Sequence, residues 1–231
     1  MQTVHTKWNE NNAILSGDVL FVIAYQCLEQ HDEALLGPLM KLFNRTAIEV
    51  CEGQQMDMDF ESRKDVTIDE YLQMIRLKTS VLLGCALEMG AIVAGSDLEN
   101  RKNIYAFGEH LGMAFQIQDD LLDLYADPDK FGKQVGGDVL ADKKTLLSLN
   151  AQRMANGAQK QELIALQQQS NQEKIASAKV LYAAIGAKDE CVTVMQEHHQ
   201  KALDALNRIN GDDSVKQMLH DLAEYLLIRT V

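Results

Sequence analysis

The chain has 231 residues, 34 acidic against 22 basic, and a formal net charge of −12. Apolar residues make up 46%, the share of an ordinary globular core, which excludes a disordered chain. The acidic balance argues against a nucleic-acid backbone or an anionic membrane as the main partner, unless cations bridge the two. Proline occurs twice, at Pro38 and Pro128, so proline-rich linkers and loop-dense β sandwiches are not expected. The longest unbroken apolar run, Val19 to Tyr25, is far short of the roughly 20 residues of a membrane span. Met1 to Asn12 is polar, unlike a signal peptide. Cys27, Cys51, Cys85 and Cys191 form no C-x-x-C pair and sit among apolar neighbours. They are expected to be small buried hydrophobes in a reducing compartment, and the chain is expected to be cytoplasmic.

Helical periodicity predominates, and no run alternates as a strand would. A first helix is predicted from near Trp8 through Leu28, and a second from Glu33 to about Phe60. Thr67 and Glu70 form a capping-box signature that opens a third helix, ending at Gly95. Asp97 caps a fourth, which runs to Tyr125 before Pro128 stops it. Asp127 to Asp138 reads as a glycine-containing loop, and helices resume near Val139. Gln-rich Ala151 to Lys174 reads as a solvated stretch, followed by helices over Asp189–Ile209 and Asp213–Ile228. Short connections point to one all-α domain over residues 1–231.

The densest constellation is Phe115-Gln116-Ile117-Gln118-Asp119-Asp120-Leu121-Leu122-Asp123. At the helical period, Asp119, Asp123, Gln116 and Asp120 fall at about 0°, 40°, 60° and 100° on the wheel. Leu121 and Leu122 point away, toward a packed interior. Like charges in one sector near a helix C-terminus repel each other and oppose the helix dipole. A hard divalent cation such as Mg²⁺ reverses that balance, since it takes carboxylate oxygens together with water and phosphate oxygens. A solvated acidic helix end is the plain alternative.

Downstream come Gly132-Lys133, Gly136-Gly137-Asp138 and Lys143-Lys144-Thr145. Lysines on a glycine-flexed loop beside an acidic metal sector suit a diphosphate, although an exposed loop lysine explains Lys133 equally simply. Lys78, beside Thr79, lies within an otherwise apolar helix and must snorkel to water or meet an anion. Gly53-Gln54-Gln55-Met56-Asp57 adds another amide and carboxylate. Met56 and Met58 read as core filler, and Asp59 as solvent-exposed.

In this order and spacing, the strings Gly53-Gln54-x-x-Asp57, Lys78-Thr79, Phe115-Gln116-x-x-Asp119-Asp120-x-x-Asp123, Gly132-Lys133 and Asp138 to Thr145 resemble the trans-isoprenyl diphosphate synthases, the polyprenyl synthetase family. The resemblance implies a bundle of long antiparallel helices around a central cavity, the isoprenoid synthase type, assembled as a homodimer. It implies condensation of isopentenyl diphosphate with an allylic diphosphate, in which Mg²⁺ assists loss of the allylic diphosphate. Asp119 and Asp123 would serve the Mg²⁺ site with Asp120 in support. Lys78 and Lys133 would hold the allylic diphosphate, with Thr79 and Gln116 lining the site and Lys143 nearby. Phe115 would pack beside the isopentenyl chain, and Gln54 and Asp57 would support the site from the facing helix.

One departure bears on activity. The family's first aspartate-rich motif is followed by a pattern close to Arg-Arg-Gly-x-Pro-Thr-Val-His, and this chain begins Met1-Gln2-Thr3-Val4-His5. The resemblance therefore implies a fold that is N-terminally incomplete and exposes apolar surface where further helices belong. Two readings follow: a prenyl transferase, or a truncated, catalytically inactive paralogue that binds a full-length synthase. A terpene cyclase fits the Lys78-Thr79 and Gly132-Lys133 motifs less well. A di-iron bundle lacks its ligands, since no Glu-x-x-His occurs.

Overall fold

The computed structural model describes residues 2–126 and 135–227, and among these every regular element is helical. A short α1 (Val4–Lys7) precedes α2 (Glu10–Glu29), capped by the Asn9 side chain. The helix predicted from near Trp8 through Leu28 is α2, and α1 is an additional turn that ends at Trp8, whose backbone leaves the helical region. The long α3 (Glu33–Ser62) follows as expected, running slightly past Phe60.

The predicted capping box forms: Thr67 Oγ1 accepts from the Glu70 amide, and the Glu70 carboxylate accepts from the Thr67 amide. The helix it opens is not uniform. α4 (Ile68–Ile75) passes through a π-helical segment, Arg76–Ser80, into α5 (Val81–Val93). At the segment's end the Val81 amide reaches back five residues to the Arg76 carbonyl. Apolar periodicity could not register this, because one inserted residue leaves both flanking faces apolar.

α6 (Leu98–Tyr125) starts at Asp97, whose carboxylate accepts from the Glu99 and Asn100 amides. Beyond residue 134 come α7 (Gly137–Leu140), α8 (Leu146–Met154), α9 (Gly157–Ala165), α10 (Asn171–Ile185), α11 (Ala187–Asn207) and α12 (Asp213–Leu227). The Gln-rich stretch is thus ordered, with Asn156 and Ser170 forming capping boxes at α9 and α10. Pro128 and most of the expected loop lie outside the described residues.

α6 is the axis of the fold. Its first half packs Phe107 and Leu111 against Ala202, Ala205 and Leu206 of α11 and Ala223 of α12. Its second half packs Met113, Ile117, Leu121 and Leu124 among residues of α4, α8, α10 and α11. Leu121 and Leu122 are fully buried, as the helical wheel requires. Leu28, Leu39, Leu42, Cys85 and Ile92 join the end of α2 to α3 and α5. The cysteine expectation holds for Cys85 and Cys191, which are buried. Cys27 and Cys51 are exposed, because each sits on the outer face of its helix.

Most of α2 lies off this body. Ile14, Leu15, Val19, Leu20, Phe21, Val22 and Ile23 are all exposed. Only its C-terminal end is anchored, by Tyr25, whose hydroxyl donates to Asn44 at 2.7 Å and whose ring packs edge-on to Phe43. Together these side chains form an extended exposed apolar surface along α2.

Candidate active site

The site begins with a close approach of two backbones. Gly53 of α3 faces the π segment so tightly that a Cβ there would stand 2.3 Å from the Lys78 amide nitrogen and 2.8 Å from Leu77. On the opposite flank, a Cβ on Gly112 of α6 would stand 2.8 Å from the Ser80 Cα. The π segment is thus held between two glycines. One turn after Gly53, Asp57 accepts from Lys78 Nζ at 2.6 Å, with both side chains partly buried. The lysine expected to snorkel has found a carboxylate on the neighbouring helix.

Thr79 turns toward α6, where its hydroxyl donates to the Gln116 side-chain oxygen at 3.3 Å. Gln116 also hydrogen-bonds Asp120, one turn on. Asp120 is 6% exposed and accepts a short hydrogen bond from the hydroxyl of Tyr71, itself buried on α4. Burial pushes the Asp120 carboxyl up to about 7 against the lowering effect of that bond, and the charge of Asp138 adds to the rise. Asp120 is therefore tied to the interior network through Tyr71 while also bordering the cavity beside α6.

Asp123 is half-buried and accepts from the Asp138 amide at 3.0 Å, while its own carbonyl accepts from the Gly136 amide at 2.5 Å. Burial raises its pKa, and the nearby Asp138 charge contributes. Lys143 Nζ stands 3.5 Å from Asp138. Burial would lower the Lys143 pKa, but the carboxylates of Asp138, Asp120 and Asp57 outweigh it and leave the ammonium firmly charged. A cavity of about 550 Å³ opens beside Asp120, Asp123, Asp138 and Lys143. A hollow of about 350 Å³ shares Lys143 and is bounded by Asp57 and Phe60.

Hard oxygen donors of this kind suit a divalent cation that prefers oxygen. Among the described residues, no three Asp, Glu, His or Cys side chains converge as a complete metal set. An ion here would fill its coordination from water or a bound phosphate, which is the usual habit of Mg²⁺. The donor set fits such an ion as a partial cradle.

The predicted site residues divide accordingly. Lys78 with Asp57, Thr79 with Gln116 and Asp120, and Lys143 with Asp138 and Asp123 are brought together. Phe115 and Asp119 are partly buried on α6, and Gln54 is exposed on α3. Lys133 lies outside the described residues. Sequence reasoning missed Tyr71 as a partner of Asp120, since a tyrosine in an apolar helix 49 residues upstream reads only as core. It also missed what Gly53 does, although a glycine inside a long helix was an available signal of close backbone approach.

Residues 1–185 match the family model described as polyprenyl synthetase. The chain belongs to that family. A short chain isoprenyl diphosphate synthase of Methanothermobacter thermautotrophicus is 33% identical over 227 residues, covering 98% of this chain and 70% of the relative. A geranylgeranyl diphosphate synthase of Methanosarcina mazei is 41% identical over 153 residues, 65% of this chain and 47% of the relative. A geranylgeranyl pyrophosphate synthetase structure from Pyrococcus horikoshii Ot3 superposes with a TM-score of 0.90 at 32% identity, covering 99% of this chain and 70% of that one. Aligned over nearly its whole length, this polyprenyl synthetase chain covers about seven-tenths of the Methanothermobacter thermautotrophicus relative.

The glycine contact gives a direct stability test within the family fold. Gly53→Ala is expected to lower the unfolding free energy by roughly 1–3 kcal/mol, because the new methyl group must displace the π-segment backbone. Gln54→Ala, one residue along but exposed, is expected to stay within about 0.5 kcal/mol of the parent. Chemical denaturation measures both, and equal effects would contradict the close approach.

Proposed function

We propose that the chain is a prenyl transferase that condenses isopentenyl diphosphate with an allylic diphosphate in isoprenoid biosynthesis. The observation that carries this reading is the opposition of Lys78 and Lys143 to carboxylates on α3, α6 and α7 around one partly buried site. The family membership and the synthase names of the relatives support it.

In this reading Asp119 and Asp123 would hold Mg²⁺ from α6, with Asp120 bonded to Tyr71 behind them. The ion supplies charge neutralisation to the departing diphosphate. Lys78 exchanges Asp57 for a diphosphate oxygen, and Lys143 approaches from the other side, so that the leaving group gathers ammonium protons. Lys133 is assigned to the same anion by the Gly132-Lys133 motif. Thr79 and Gln116 present a neutral hydroxyl and amide to the allylic carbons, where no strong nucleophile competes with the isopentenyl double bond. Phe115 offers apolar surface to the isopentenyl chain, and Gln54 stands with Asp57 on α3. Low water content favours survival of the allylic cation until the new carbon–carbon bond forms and a proton leaves.

The experiment is a Mg²⁺-dependent condensation assay with the chain alone, in parallel with titration of inorganic diphosphate. Product formation is expected, and Asp119→Ala is expected to weaken Mg²⁺-dependent diphosphate binding by at least about tenfold with the melting temperature retained. Unchanged diphosphate affinity in that variant would overturn the metal role. Binding without product would favour the inactive, partner-binding paralogue.

A homodimer belongs to the same reading, supported by the exposed apolar side chains along α2. No helix among the described residues is long and apolar enough to cross a membrane. Sedimentation equilibrium is expected to give twice the chain mass, and a stable monomer would contradict it.

A further inference from the structure

The short helix α7, which carries Asp138, is closed at its end by two backbone bonds. The Lys143 amide donates to the Asp138 carbonyl at 3.0 Å, and the Asp142 amide to the Val139 carbonyl at 3.3 Å. This is the Schellman arrangement, in which the residue after the cap adopts the left-handed conformation and is usually glycine. Here that residue is Asp142, with φ of +51°, the one described non-glycine residue at positive φ. The closure decides where Lys143 goes, because it returns the chain over Asp138 and leaves Lys143 Nζ 3.5 Å from that carboxylate.

An aspartate tolerates the left-handed region better than most residues but needs local hydrogen bonds to stay there. α10 and the turn before it supply them. Lys174 Nζ donates to Asp142 Oδ1 at 2.7 Å, and Gln167 Nε2 donates to the same oxygen at 2.7 Å. The Lys174 side chain is only 10% exposed, and its ammonium also reaches Gln167 Oε1 at 3.4 Å. A buried lysine spent on a turn residue is expensive unless the turn matters. The next residue of α10, Ile175, abuts the other end of α7, where a Cβ on left-handed Gly136 would lie 2.6 Å from its side chain. Consecutive residues of α10 thus brace both ends of the segment that presents Asp138 and Lys143.

We propose that Lys174, with Gln167, is a positioning residue that holds Asp142 left-handed and so fixes Lys143 at the diphosphate site. This rests on the reading of that site as a diphosphate site. Asp142, Gln167 and Lys174 also line the cavity beside Lys143, but each is engaged in the clasp. Their effect passes through the backbone of residues 138–143, and any substitution that restores the left-handed turn by another route makes the clasp dispensable.

The test uses the full chain, with inorganic diphosphate and Mg²⁺ titrated by calorimetry and amide hydrogen exchange followed at Lys143. Lys174→Met is expected to weaken diphosphate binding about tenfold and to speed exchange at Lys143 by a similar factor. Adding Asp142→Gly to that variant is expected to restore both to within about threefold of the parent, since glycine takes this conformation unaided. Asp142→Ala against Asp142→Gly provides the same comparison if Lys174→Met does not fold. Both leave Lys174 without its partner, and only the alanine variant is expected to lose affinity and protection. Unaltered exchange in Lys174→Met, failure of glycine to rescue it, or equal behaviour of the alanine and glycine variants would overturn the proposal. A parent chain that binds no diphosphate would overturn the functional reading instead, and the exchange measurements would still decide the clasp.

Discussion

A π segment between α4 and α5, held between Gly53 on α3 and Gly112 on α6, sets the geometry on which the site depends. A regular helix through Arg76–Ser80 would rotate Lys78 and Thr79 relative to their flanks, since the π turn adds a residue without adding a turn. With that extra residue, successive side chains reach different neighbours: Lys78 meets Asp57 of α3, and Thr79 meets Gln116 of α6. The arrangement tolerates no side chain at either glycine without backbone movement. The distance between the helices is therefore built into the sequence as two missing methyl groups.

Charge forms the second layer of the design. Carboxylates at Asp57, Asp120, Asp123 and Asp138 would repel one another in a partly buried setting. Each is answered: Asp57 by Lys78, Asp138 by Lys143, Asp123 by the amides of Gly137 and Asp138, and Asp120 by Tyr71. The Asp120–Tyr71 bond is the buried one of the four, and removing Tyr71 would leave the buried Asp120 carboxyl without that donor. The net charge of −12 is no bar to binding an anion, because Lys78 and Lys143 set ammonium groups among these carboxylates.

Much of this was legible in the sequence. The Thr67–Glu70 capping box, the Asp97 cap, the long α3 and the burial of Leu121 and Leu122 follow from local rules, and the structure obeys them. The pairing of Lys78 with an acid could be expected only as a choice between water and an anion. Its actual partner depends on how α3 meets the π segment, which is a tertiary fact. Tyr71 and Lys174 were invisible for a related reason, since each acts through one bond to a residue far along the chain. The exposure of Cys27 and Cys51 shows the opposite limit, where apolar pattern overstates burial.

In the proposed function, Asp57 holds Lys78 in reserve for a diphosphate. A crystal structure of the chain with Mg²⁺ and a non-reactive allylic diphosphate analogue tests it most directly. Lys78 Nζ is expected to leave Asp57 for a diphosphate oxygen while the π segment and its two glycine contacts stay in place. An analogue bound elsewhere, with the Lys78–Asp57 pair intact, would contradict it.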